Sequence, residues 1–220
     1  MSRVAIVAAL EREVRPLVKS WQVRDKEHEG RKFRFFENGE VMLVCGGIGA
    51  AAARRAAEAV IALFEPKLIY SAGFAGALDQ NLRVGDVVRP QVVIDAGDGS
   101  RVTLGSGEGT LVSFDAIASP TQKGKLRDSY AAHAVDMEAA AVARSAELRG
   151  IEFGVIKVIS DVVDFEFPSM ERFVDSEGRF SEAKFALFAA LRPWLWLQVA
   201  RLTENSSRAS RSLCACLRTA

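Results

Sequence analysis

Three carboxyl groups stand where a folded chain could do chemistry. Asp161 closes the apolar run of residues 152–160, in Val158-Ile159-Ser160-Asp161. Glu138 opens an alanine-rich segment, in Asp136-Met137-Glu138-Ala139. Glu13 begins a helical pattern, in Leu10-Glu11-Arg12-Glu13-Val14. A carboxyl at the end of a buried strand is well placed to give or take a proton, and a carboxylate accepts two hydroxyl donors at once. Each also has a plainer use: Ser160-Asp161 can cap a turn or helix, and Glu138 and Glu13 carry the charge that the positive end of a helix favours. Gly47-Ile48-Gly49-Ala50-Ala51-Ala52 matches the G-x-G-x-x-A fingerprint of dinucleotide-binding folds. It follows the third or fourth strand rather than the first, however, and no acid ends the next strand. These glycines then serve a tight turn near a ligand, with a dinucleotide-dependent oxidoreductase as the rival that the motif raises.

The elements that must hold these groups follow from hydrophobic periodicity. Val4–Ala8 is a β-branched apolar run that predicts a strand buried on both faces, and residues 11–20 place Val14, Leu17 and Val18 at helical spacing. Residues 32–37 and Val41–Cys45 predict strands joined at Asn38-Gly39. A helix over Ala50–Phe64 stops at Glu65-Pro66. Residues 67–71, 84–88, 91–94, Thr110–Ser113 and 152–160 predict further strands, residues 122–130 and 137–149 helices, and residues 96–109 a loop. A long apolar helix over residues 181–202 is kinked or restarted at Pro193, and the Ser- and Arg-rich residues 203–220 predict a frayed tail. Alternating strands and helices, without repeat or linker, predict a single-domain, three-layer α/β fold over residues 1–202, with a central, mainly parallel mixed sheet flanked by helices. In such sheets the site lies beyond the carboxyl ends of the strands. That rule singles out residues 9–13, 46–49, 73–76, 113–118 and 160–164.

The bulk composition narrows the classes. Over 220 residues, 49% hydrophobic and 26% charged content excludes disorder, and a net charge of +1 gives no reason to bind a polyanion. Three cysteines, an odd number, and a first apolar run too short for a signal segment predict a reducing, cytoplasmic setting. No stretch supplies the roughly 20 apolar residues of a membrane span.

Several of the strand-end segments resemble bacterial 5′-methylthioadenosine/S-adenosylhomocysteine nucleosidases and their nucleoside phosphorylase relatives. The motifs are Ala8-Ala9-Leu10-Glu11-Arg12-Glu13-Val14, Gly46-Gly47-Ile48-Gly49, Ser71-Ala72-Gly73-Phe74-Ala75-Gly76-Ala77-Leu78 with Leu82-Arg83-Val84-Gly85-Asp86-Val87-Val88, Val135-Asp136-Met137-Glu138-Ala139, and Val158-Ile159-Ser160-Asp161-Val162-Val163-Asp164. They occur in the family's order across residues 3–165. The resemblance implies an enzyme that cleaves the N-glycosidic bond of a purine nucleoside, foremost a 5′-substituted adenosine, releasing adenine. It implies no cofactor and no metal, a small-molecule nucleoside as partner with phosphate as a possible co-substrate, and a homo-oligomer.

The same resemblance assigns roles. Breaking this bond makes a cationic ribose and an anionic base, as in glycoside cleavage, where carboxyl groups act as acid and base. Asp161, beside Ser160, matches the acid that protonates purine N7; an aspartate doing this at neutral pH needs surroundings that keep its proton. Glu138 matches the group that binds the ribose hydroxyls, Met137 the residue packed on the sugar, and Glu13 the base that positions and deprotonates water. Gly73, Phe74 and Gly49 belong to the motifs that line the site. Ile117 falls where the family contacts the purine, with Ala118 beside it, and Phe114 is a further stacking candidate whose plain alternative is the core.

Departures from the pattern matter too. Phe74 replaces a small hydroxyl residue near the nucleophile, Lys157 replaces an arginine, and Asp136 stands where glutamate is common. An arginine fork and an ammonium are not equivalent, and together Phe74 and Lys157 motivate a rival reading as a non-catalytic nucleoside-binding protein. Phosphorolysis needs cations or amides to hold phosphate; Ser71 stands near where hexameric phosphorylases carry an arginine, which favours water, with Arg12 and Lys157 as remaining cations. Residues 178–211 resemble the hopanoid-associated phosphorylase-like branch, which acts on a lipid-linked adenosine. Trp194, Leu195, Trp196 and Leu197 would suit a greasy substrate or partner, or an ordinary core or subunit-interface helix.

Overall fold

The computed structural model describes residues 3–168, 170–175 and 177–219, so Met1, Ser2 and Ala220, at the ends of the predicted domain and tail, lie outside the described residues. At the centre, β1 (Val4–Ala8) pairs in parallel with β4 (Val41–Cys45) on one side and with β5 (Leu68–Ala77) on the other. β11 (Glu152–Asp161) runs parallel along the second edge of β5. Hairpin strands β2 (Gln22–His28) and β3 (Arg31–Asn38) extend the sheet antiparallel beyond β4. On the far side lie β10 (Ala134–Asp136), β9 (Thr110–Ser113), β7 (Val92–Asp95) and β8 (Arg101–Thr103), and β6 (Val87–Val88) pairs with β11.

Side chains alternate across a strand, and β1 makes the layers visible. Ala5 and Val7 face a core shared with the alanine-rich α2 (Ala50–Phe64) and α4 (Ala139–Glu147), through Ala53, Ala57, Val60 and Val142. Ile6 and Ala8 face the other core, built with α1 (Glu11–Val18) and α6 (Trp196–Leu217) through Val14, Leu17, Ala209 and Leu213. α3 (Pro120–Tyr130) covers the β9–β10 end, where Leu126 packs with Leu78 and Val112. α5 (Glu182–Ala190) precedes Pro193, and α6 restarts the helix after it. Among the described residues, no helix is long and apolar enough to cross a membrane.

Four sequence-based expectations are corrected. The strand predicted at 67–71 runs on through Gly73-Phe74-Ala75-Gly76 to Ala77, because β11 on one edge and β10 on the other give its backbone partners. Strand β2 was not expected: its sequence QVRDKEH is exposed, with no apolar alternation to betray it, and it forms a charged edge of the kind that discourages further pairing. Within the predicted loop 96–109, Arg101–Thr103 forms a hairpin strand against β7. The largest correction concerns residues 203–220. The described part of this segment, through residue 219, is not frayed; α6 continues to Leu217. Polar composition hides a narrow stripe, Ala209, Ser210, Leu213 and Cys214, which sits at helical spacing and is buried against α1 and the sheet.

One irregularity positions the site. The register of β11 against β5 slips between Ile159 and Asp161, leaving Ser160 as an extra residue in a β-bulge. A regular strand would send Ser160 and Asp161 to opposite faces; a bulge re-aims them, and here both line the same cavity.

Candidate active site

The cavity opens beyond the carboxyl ends of β1, β5, β10 and β11, and its walls include Glu13, Phe74, Ile117, Met137, Glu138, Ser160 and Asp161. Seven of the ten residues predicted from sequence therefore share one space. Two others stand directly behind it. The Gly49 amide donates to Glu138 Oε1 at 2.9 Å. At Gly73 a Cβ would lie 2.9 Å from Glu13 Oε2, so only glycine leaves room for that carboxyl. Phe114 is a correction: it packs with Leu78, Ile94 and Val112 in the core beneath β9, because the chain turns between Ser113 and Ala116 and presents Ala116 and Ile117 to the cavity instead.

The charged groups form a buried cluster of four carboxyls, Glu13, Asp136, Glu138 and Asp161, with two ammoniums, Lys123 and Lys157. Fully ionised, it would hold two uncompensated negative charges out of water, which is costly. Part of that cost is avoided by retaining protons. Glu13 projects from the first turn of α1, its Oε2 buried without a hydrogen-bond partner. Burial first, and then the charge of Glu138, push its pKa up from 4.5 to about 7 against the opposing pull of Lys157 and Arg12. Glu138 begins α4, and burial also raises it, with Lys157 opposing and Asp136 adding to the rise.

Asp136 anchors this arrangement. Its carboxylate accepts from Ser113 Oγ at 2.5 Å and from the Ala139 amide at 2.8 Å, which caps α4 and so orients Glu138. Lys157 lies 2.7 Å from Asp136 Oδ2 and 3.6 Å from Glu138 Oε2. Burial alone would lower the pKa of Lys157, but Asp136 and then Glu138 outweigh it and the net shift is upward. The lysine that replaces the expected arginine is thus a fixed counter-charge within the cluster.

Across the cavity, Asp161 Oδ1 accepts from Ser160 Oγ at 2.8 Å, and Oδ2 accepts from Lys123 Nζ, which also donates to the Val162 carbonyl at 2.6 Å. Lys123 went unnoticed in the sequence because a lysine among the polar residues of a short helix looks solvated; here it is 1% exposed. The capping box between Ser119 and Gln122 fixes the start of α3 and puts Lys123 on its inner face. Sequence reading also missed Phe167 and Met170, apolar wall residues from an irregular segment with no periodic signal. The glycines of the dinucleotide-like stretch do packing work. A Cβ at Gly47 would lie 3.0 Å from the carbonyls of Glu177 and Gly178, and the Gly49 amide is taken by Glu138, so no phosphate cradle forms.

Comparison with known proteins places the chain in a family. Residues 3–118 and 106–191 match the family model described as the phosphorylase superfamily. The 5′-methylthioadenosine/S-adenosylhomocysteine nucleosidase of Bacillus licheniformis is 26% identical over 221 residues, covering 81% of this chain and 94% of that protein. The enzyme of the same name from Staphylococcus aureus is 26% identical over 211 residues, covering 78% and 92%. Among solved structures, the Neisseria meningitidis nucleosidase in complex with methylthio-immucillin-A superposes with a TM-score of 0.70 at 20% identity, covering 100% of both chains. The futalosine hydrolase of Helicobacter pylori gives 0.70 at 18% identity, covering 100% of this chain and 98% of that one. These matches leave neither the dinucleotide-dependent nor the purely binding reading in place. The family model covers most of the chain, and the protein is accordingly an enzyme belonging to the phosphorylase superfamily.

Proposed function

We propose that this enzyme hydrolyses the N-glycosidic bond of a 5′-substituted adenosine and releases adenine. The observation that carries this reading is the placement of Asp161 and Glu138 on one cavity with Glu13, whose pKa of about 7 suits a base at neutral pH. Asp161 delivers a proton to purine N7 as the N9–C1′ electron pair moves onto the base. Glu138 accepts hydrogen bonds from the ribose hydroxyls, and its negative charge favours the cationic sugar. Met137 packs on the ribose and Ile117 on the purine. Glu13 takes a proton from the water that attacks C1′ from the opposite side.

Water fits as the nucleophile better than phosphate. Lys157 is spent on Asp136 and Glu138, so it is not free to supply the cation that holding a phosphate requires. Arg12, 39% exposed at its side chain and 3.8 Å from Glu182, is the remaining cation on the cavity wall among the described residues that is not buried. Adenine release from a panel of 5′-modified adenosines, with and without phosphate, tests both points. Absence of release from every member rejects the reading, and an absolute phosphate requirement rejects hydrolysis. Asp161→Asn should abolish turnover.

A specific observation favours a large apolar 5′ group over a small one. The cavity continues, through the shared residues Arg12, Met170, Leu202 and Ser206, into a trough lined by Phe185, Ala189 and Val199. Leu187, Leu191, Trp194, Trp196 and Leu197 are exposed on the segment beside it. A lipid-linked adenosine, the substrate implied by the resemblance to the hopanoid-associated branch, would place its tail there. Comparing kcat/KM for methyl and long-chain 5′ substituents decides between the two.

A further inference from the structure

We propose that the proton given to the departing purine originates on Lys123 and passes through Asp161, making Lys123 a positioning residue for the hydrolysis proposed above, on which this inference rests. The geometry carries it. Both oxygens of Asp161 already act as acceptors, Oδ1 toward the Ser160 hydroxyl and Oδ2 toward the Lys123 ammonium. A carboxylate that accepts at both oxygens has no proton of its own to give, so it must first receive one. The ammonium of Lys123 is the donor in contact with it, and Lys123 lines the same cavity.

The fold is built to keep this pair together. A Cβ at Gly76 would lie 2.8 Å from Asp161 Oδ2 and 3.2 Å from Lys123 Cε, so the glycine of β5 clears the space in which they meet. Lys123 is 1% and Asp161 3% exposed. Away from water the charges of such a pair lose their hydration, and moving one proton from ammonium to carboxylate abolishes both at once. An N–H bond of Lys123 breaks and an O–H bond forms on Asp161; that O–H then breaks as N7–H forms, while the N9–C1′ bonding pair enters the purine ring. Lys123 is left as a neutral amine and Asp161 as a carboxylate that accepts from N7–H. When adenine leaves, Glu13 releases to solvent the proton it took from the attacking water and the Lys123 amine takes one up from solvent, so both groups return to their starting states with no net proton gained or lost.

Substituting Lys123 separates proton supply from charge pairing. Lys123→Arg keeps a cation beside Asp161, but a guanidinium does not give up its proton. Lys123→Met removes the cation, and an unpaired buried carboxyl takes up a proton from solvent, leaving Asp161 able to act once per turnover. The expected order of adenine release is wild type, then Met, then Arg, with the arginine variant slower than wild type by about a hundredfold or more, the scale of general acid catalysis. A purely structural pair predicts the reverse order, with arginine rescuing. The control is 4-nitrophenyl β-D-riboside, whose leaving group departs without a proton; both variants should cleave it within about threefold of wild type, because transition-state stabilisation of the sugar is unchanged. An arginine variant as fast as or faster than the methionine variant on adenosines, or equal losses on both substrates, overturns the proposal. Wild-type enzyme that cleaves the nitrophenyl riboside but no adenosine overturns the proposed function itself, and this inference with it.

Discussion

Glu13→Gln should make this protein more stable at pH 8 while destroying its activity. The native pKa of Glu13 is about 7 against an ordinary 4.5, because ionisation takes place out of water and beside Glu138. At about 1.4 kcal/mol per tenfold change in proton affinity, ionising Glu13 in the folded state costs about 3 kcal/mol more than in the unfolded chain. The sign follows from proton counts. Below pH 4.5 both states hold the proton and the group is neutral to stability. Between 4.5 and 7 the unfolded chain loses it while the folded protein keeps it, so stability falls as pH rises. Above 7 the full cost is present and constant. Glutamine has no such cost, so its advantage over wild type should grow from nearly nothing at pH 4.5 to about 2–3 kcal/mol at pH 8, or about 4–12 °C in Tm for a chain of this size. Thermal unfolding of both proteins at matched concentration across this range reads the effect directly. A Tm difference that does not change with pH, or a glutamine variant less stable than wild type at pH 8, would refute the assignment of Glu13 as a carboxyl held near neutrality by burial.

Other outcomes follow from the same cluster. The wild-type rate should rise with pH through about 7 as Glu13 loses its proton and becomes a base, and a kcat/KM profile for adenine release lacking that limb would count against its role. Gly73→Ala places a Cβ 2.9 Å from Glu13 Oε2 at a φ of +154°, which side-chain-bearing residues rarely adopt; the carboxyl must move and the backbone is strained, so turnover should fall about tenfold or more and the unfolding temperature should fall with it. Lys157→Met leaves Asp136 and Glu138 without their counter-charge and should cost about 3–5 kcal/mol in urea unfolding. Leu213→Ala, in the helix that packs on α1, should cost about 2–4 kcal/mol although it lies in a segment of polar composition. Light scattering should report an assembly larger than one 23.9 kDa chain, because the apolar face bearing Leu187, Leu191 and Trp194 needs cover.

The strands and helices of the central layers were legible in the sequence wherever one side of an element met one environment. Val4–Ala8 and Val41–Cys45 are apolar along their length because both faces are covered. The alanine stripes of α2 and α4 repeat at helical spacing because they pack on the same core. The candidate site was legible for a related reason: glycines, carboxyls and serine at strand ends stand out against apolar runs, and Glu13, Met137, Glu138, Ser160 and Asp161 do share a cavity. Illegible elements had mixed surroundings. β2 is exposed on both faces, and the last turns of α6 bury only Ala209, Ser210, Leu213 and Cys214 in a polar background.

By itself, then, the order of residues determined the layer architecture and which carboxyls lie at the mouths of the strands, since burial and backbone hydrogen bonding act on local patterns. Tertiary structure alone decided which charges meet. Lys123 comes to Asp161 from 38 residues away, Lys157 to Asp136 across the intervening helix α4, and the Ser210 hydroxyl to the carbonyl of Glu13 from 197 residues away. Electrostatic energy depends on distance and on the exclusion of water, and neither quantity exists until the chain has folded. Whether a lysine is a solvated surface charge or half of a buried proton-bearing pair is therefore settled by packing rather than by its neighbours in sequence.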